Sequence, residues 1–268
     1  MENSNNILVM FQKIADEEGK TLEEVVERAE NMLRLIDQPL NEEGRLDYVE
    51  RLLREKRIGP SQADMIIRKN HIFHDEIREI AEDSKKVLYN EFGIQIPDYT
   101  LVFDPGLNPK GLSVGTGLTS WIDQTISLPS EGLIQIPIIV AHEQGHASHM
   151  EESQLFKLLK EKHLSEDSVG YDNIRNKAMN IIDGWPSFIS KLYGQFRDRR
   201  VGNIKMYEQF ADEIYAFMAL FDSSQKTRER KGYYEGVRKF EDLFNRRGIE
   251  TAKYAAYNLM NDYELSRF

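Results

Sequence analysis

A chain of 268 residues with 35 lysines and arginines against 45 aspartates and glutamates has a formal net charge of −10, which argues against a general nucleic-acid or anionic-membrane surface. With 40% hydrophobic and 30% charged residues it reads as globular and helix-rich, not disordered. The absence of cysteine excludes disulfides, thiolate metal sites and cysteine-based latency.

The opening MENSNNILVMFQK lacks the basic start, apolar core and small-residue cleavage site of a signal peptide, and no apolar run approaches membrane-spanning length. A cytoplasmic protein without a membrane partner is expected. Ile7, Leu8, Phe11, Ile14 and Ala15 recur at helical spacing, and after Gly19 so do Val25, Val26, Ala29, Met32, Leu33 and Ile36. Thr21 and Glu24 fit a capping box. Beyond the break at QPLNEEG, RLDYVERLLREKRIG predicts a third helix and PSQADMIIRKN a fourth. Residues 1–70 therefore form a helical N-terminal region with a structural, interaction or pro-segment role. Arg45, Arg51, Arg54, Lys56 and Arg57 interleave with Glu50 and Glu55, as on an ordinary solvated helix face, so no nucleic-acid partner is expected.

Residues 71–268 read as a second domain. Phe73, Ile77, Ile80, Ala81 and Leu88 make the stripe of a long helix over 72–91, stopped by Gly93. His71 and His74 have no partner acid at ligand spacing and read as structural or surface residues. The period then changes: Thr100–Phe103 is β-rich, and LSVGTGLTSWI and TISL (Thr125–Leu128) are further strand candidates around a turn at Asp123 and Gln124. Gly111, Gly115 and Gly117 fit either close backbone approach or a loop.

The most informative stretch follows, PIIVAHEQGHASHM from Pro137 to Met150. Pro137 suits a first helical position, and Ile138, Ile139 and Val140 anchor the helix. His142 and His146, at i and i+4, share a face and can bind one zinc ion, with Glu143 beside them as a general base. Ala141, Gly145 and Ala147 leave room for another element to approach closely. Helix is expected to continue through EESQLFKLLKEKH. YDNIRNKAMNIID begins another helix, which Gly184, Trp185 and Pro186 kink or restart. KLYGQFRDRRVGNIK reads as exposed and basic, MYEQFADEIYAFMALF as strongly apolar, and the last helices as 233–245 and 249–261.

At His142, Glu143 and His146 the chain resembles the zincin metallopeptidases, whose H-E-x-x-H helix carries two zinc ligands and the catalytic glutamate. His149 and Glu152 stand where the metzincin extension needs glycine and histidine, which leaves the gluzincin type, with an acidic third ligand on a later helix. The resemblance implies an α+β, mostly helical fold, in which the small sheet of a zincin-like catalytic domain packs on that helix and an edge strand lines the cleft. Glu208 and Asp212 lie in YEQFADEIYAF, similar to the E-x-x-A-D helix of gluzincins: Glu208 would bind zinc and Asp212 would orient a ligand histidine. Asp183 in DGWPSF is the rival third ligand, resembling an E-G-aromatic-A sequence with Asp for Glu, and otherwise reads as a capping acid. For the oxyanion, Tyr207, Tyr215, Tyr233, Tyr234 and His149 are all candidates. The implied activity is zinc-dependent hydrolysis of a peptide or protein substrate. The alternative is a regulatory or scaffold protein of restricted activity that binds a specific protein partner.

Overall fold

The computed structural model describes residues 12, 15–16, 19–27, 45–59, 63, 72–104, 118–120, 122–129, 131–132, 136–162, 169–202, 206–208, 211 and 231–268. The chain divides between Asn70 and His71 into two compact units. In the first, Gly19 takes the left-handed conformation (φ 64°), and Lys20 N–H closes onto Ala15 O. A new helix then starts on a reciprocal capping box: Glu24 N–H donates to Thr21 Oγ1 at 3.2 Å, and Thr21 N–H donates to Glu24 Oε2 at 2.8 Å. Helix α1 (Arg45–Arg54) buries Val49, Leu52 and Leu53.

The second unit is α+β and mostly helical. Strand β1 (Ile72–Phe73) leads into α2 (His74–Phe92), which ends where Gly93 turns left-handed (φ 61°) and Ile94 N–H reaches back to Leu88 O. Strands β2 (Thr100–Phe103), β3 (Leu118–Ser120) and β4 (Thr125–Leu128) form a sheet of order β2-β4-β3. Strand β2 runs parallel to β4, and β3 antiparallel. The turn expected at Asp123 and Gln124 lies between β3 and β4, and Gln124 takes φ 50° there. Strand β5 (Glu131–Gly132) pairs with β1. Gly111, Gly115 and Gly117 lie outside the described residues, as do His71, most of the 7–18 helical stretch and the second half of the 19–36 stretch.

Helix α3 (Ile136–Glu152) is buried on nearly every side, including Ile136, Ile138, Val140, Ala141 and Ala147. It does not run on through the following residues. At Ser153 the backbone becomes extended (φ −77°, ψ 143°) and the hydroxyl accepts from Phe156 N–H, so serine starts a new helix, α4 (Gln154–Glu161), without any glycine. Helices α5 (Val169–Arg175) and α6 (Met179–Ile182) follow, and α7 (Gly184–Arg200) restarts after Asp183. The stretch expected to be exposed and basic is the second half of α7. Leu192, Tyr193, Arg197 and Asp198 are buried there and only Arg199 and Arg200 face outward, because a helix buries one face whatever its overall charge. Helices α8 (Lys231–Arg247), α9 (Ile249–Asn258) and α10 (Asp262–Arg267) complete the unit, the last capped by Asn261.

Helices α3 and α7 pack closely because glycine sits at their crossings. A Cβ on Gly145 would stand 2.7 Å from Pro186 Cα, and one on Gly194 would stand 2.9 Å from Ile138 Cδ1. On the other side of α7, Trp185 meets Phe240 edge-on at a ring separation of 5.4 Å, and Phe188 stacks with it at 6.1 Å. Burial of each such ring contributes about 2–3 kcal/mol. Among the described residues no helix is long and apolar enough to cross a membrane.

Candidate metal centre

One turn of α3 separates His142 from His146, and the side-chain direction that helices favour brings the rings together. Their Nε2 atoms stand 3.1 Å apart, with ring centroids 4.8 Å apart and planes at 77°. Two nitrogens bound to one tetrahedral zinc at about 2.0–2.1 Å lie about 3.3 Å from each other, so the pair is nearly spaced for shared metal. Burial drives the His142 pKa down to about 3. His146 is also pushed well below its usual range, by burial first and then by the charges of His142, His149 and Arg175. Both rings are therefore neutral at pH 7, the form that binds metal.

Ser187, one turn into α7, bears on which His142 nitrogen holds the proton. Its hydroxyl donates to Asp183 O at 2.7 Å, so toward His142 Nδ1, at 3.5 Å, it presents an acceptor. That arrangement favours the proton on Nδ1 and a lone pair on Nε2, facing His146. His146 Nδ1 is buried with no hydrogen-bond partner.

Asp183 lies in the turn between α6 and α7 and is 2% exposed. Its side chain makes no capping hydrogen bond, which removes the capping role as its explanation. Instead Oδ1 stands 3.9 Å from His146 Nε2, and Oδ2 stands 3.9 Å from Arg175 Nη2. Close approach of Gly184 to Gly236 of α8, where a Cβ would meet backbone at 2.5 Å, fixes the turn. Among the described residues there is no ready-made cluster of three or more metal-binding side chains. The histidines form a close pair with Asp183 set just outside it.

Glu208 occupies a different place. Its carboxylate accepts from Gln195 Nε2 at 2.9 Å and lines a cavity of about 340 Å³ with Phe92, Leu192, Arg199 and Phe244. Gln195 is eight residues beyond Ser187 on α7, about 12 Å along the axis. The structure thus brings Asp183, not Glu208, to the histidine pair, reversing the order suggested by the E-x-x-A-D pattern. Asp212 lies outside the described residues, as do Tyr215 and the side chains of Tyr233, Tyr234 and His74. Tyr207 is wholly buried beneath the Arg197 guanidinium, 5.2 Å from its ring centroid. His149 is wholly buried too, its Nε2 donating to Ala256 O at 3.0 Å and its ring 5.2 Å from that of Phe156, so it is a core residue.

Glu143 is 6% exposed. Its carboxylate accepts from Thr119 Oγ1 on β3 at 2.8 Å, a contact that nothing in the strand-like LTSWI stretch announces. Burial, with the nearby Asp183 charge, pushes the Glu143 carboxyl up to about 7 against the opposing pull of the Thr119 hydrogen bond. Such a carboxyl both takes and gives a proton near neutrality.

Comparison with protein-family models, curated proteins and solved structures finds no match. The chemistry of this centre is therefore read from its own residues: two neutral histidines, a buried glutamate between them on the same helix, and an aspartate fixed at the next turn.

Proposed function

We propose that the chain is a zinc metallopeptidase of the H-E-x-x-H, zincin-like kind. The observation that carries this reading is the 3.1 Å approach of the His142 and His146 Nε2 atoms, with Glu143 held beside them by Thr119. His142 and His146 would hold the ion and Asp183 would complete the protein ligands after a small inward movement, in place of Glu208. Zinc bound there supplies a Lewis acid and a water of lowered pKa. Glu143 accepts the proton of the attacking water and returns it to the leaving amine. Ser187 holds the His142 tautomer. The Arg175 guanidinium balances the carboxylate charge of Asp183. The substrate is a peptide or protein chain.

Purified protein should bind one zinc per chain and hydrolyse an unstructured protein such as casein. The Glu143→Gln variant should keep its zinc and lose hydrolysis by at least 100-fold, in line with loss of a general base. Undiminished cleavage by that variant sinks the assignment.

A further inference from the structure

The Thr119 hydroxyl on β3 faces two acceptors belonging to one residue, Glu143 Oε2 at 2.8 Å and Glu143 O at 3.0 Å. A hydroxyl carries one proton and two lone pairs. Toward a Glu143 carboxylate it donates to Oε2. Toward a Glu143 that has taken a proton on Oε2, it accepts from that O–H and turns its own proton to the backbone carbonyl. With the proton on Oε1, Oε2 remains an acceptor and the first arrangement persists. Every protonation form of Glu143 is thus met by rotation about a single C–O bond, without displacement of the carboxyl group.

We propose that Thr119 is a positioning residue for Glu143, holding the carboxyl group in one place while it accepts and then releases a proton. The proton that Glu143 carries passes from the attacking water to the leaving amine, and the Thr119 proton never leaves its own oxygen. Nearly buried, Glu143 has little access to water as a substitute partner, so loss of the hydroxyl leaves the carboxyl poorly held. The role rests on the peptidase reading, which makes Glu143 the general base.

The test compares Thr119→Val, which keeps the shape and removes the hydroxyl, with Thr119→Ser, which keeps the hydroxyl. Zinc content, melting temperature, kcat and KM on a peptide are measured, together with the affinity for acetohydroxamate, a zinc-binding acid whose proton a carboxylate beside the ion can accept. Thr119→Val should retain zinc and a cooperative fold, lose about tenfold or more in kcat with KM little changed, and bind acetohydroxamate about tenfold more weakly. Thr119→Ser should restore both. Wild-type kcat and acetohydroxamate affinity in Thr119→Val overturn the proposal. Loss of zinc or of folding in Thr119→Val, or failure of Thr119→Ser to recover, also overturns it in favour of a structural role. A wild-type protein that holds zinc but cleaves no peptide sinks the peptidase reading instead, and the acetohydroxamate arm then decides on Thr119 alone.

Discussion

The two ends of α7 each hold a buried aspartate, and they use it in opposite ways. At the far end the Asp198 carboxylate is saturated: Oδ1 accepts from the backbone N–H groups of Met206 and Tyr207 at 2.9 and 2.8 Å, and Oδ2 from that of Glu208 at 2.8 Å. These bonds start the helical turn at 206–208, a cap supplied from a distance. At the near end the Asp183 carboxylate makes no capping hydrogen bond, although it stands directly before Gly184 where a side-chain cap is expected. Its Oδ1 stands 3.9 Å from His146 Nε2, and its Oδ2 stands 3.9 Å from Arg175 Nη2. An acid spent on backbone N–H groups explains a fold. An acid set beside two neutral histidines explains a site.

The largest expected effect would break that contrast outright. Asp183→Asn should weaken zinc binding by about 100-fold or more, and Glu208→Gln should leave it unchanged, both measured by competition with a chromophoric chelator. The opposite result restores Glu208 as the third ligand. Next, Asp198→Ala should lower stability by about 2 kcal/mol in urea unfolding, through three backbone donors left without their acceptor, with zinc affinity intact. A loss of zinc in that variant would mean that the two ends are not separable.

A smaller effect concerns the third histidine of α3. Burial lowers the His149 pKa to about 4, against the Ala256 hydrogen bond that opposes the shift. A histidine whose pKa falls on folding contributes stability that is complete above its ordinary value of 6.5 and is lost as pH drops through the folded value. The advantage of the zinc-free wild type over His149→Gln should therefore shrink as pH falls from about 6.5 to about 4, as followed by urea midpoints. A gap that widens on acidification would put His149 among charged partners instead of in the core. The smallest effect is at Ser153, a neutral cap serving a single N–H, where Ser153→Ala should cost about 1 kcal/mol, half the loss expected at Asp198.

Much of this site is legible in the sequence for a local reason. His142, Glu143 and His146 share one helix, and the 3.6-residue period puts the two imidazoles on one face before any tertiary contact forms. The strands Thr100–Phe103 and Thr125–Leu128 are equally readable from β-branched and apolar runs. Less could be read where one residue competes with a pattern. Ser153 ends a helix whose apolar periodicity continues through Leu155 and Leu159, because one hydroxyl in reach of Phe156 N–H suffices to start a new turn. The E-x-x-A-D spacing favoured Glu208, yet spacing within a helix says nothing about which neighbour that helix meets, and here it meets Gln195.

The sequence by itself therefore determined the paired histidines, the glutamate between them and the small residues that let α7 approach, since each depends on contacts within a few positions. Only the tertiary structure decided which acid stands by that pair and which hydroxyl meets its glutamate. Asp183 comes from beyond three helical breaks, and Thr119 from a strand that precedes α3. Their meeting with His146 and Glu143 depends on the Gly145–Pro186 crossing, the Gly184–Gly236 contact and the pairing of β3 with β4. Those are close packings between distant segments, fixed by shape at the ångström scale, which no local periodicity encodes.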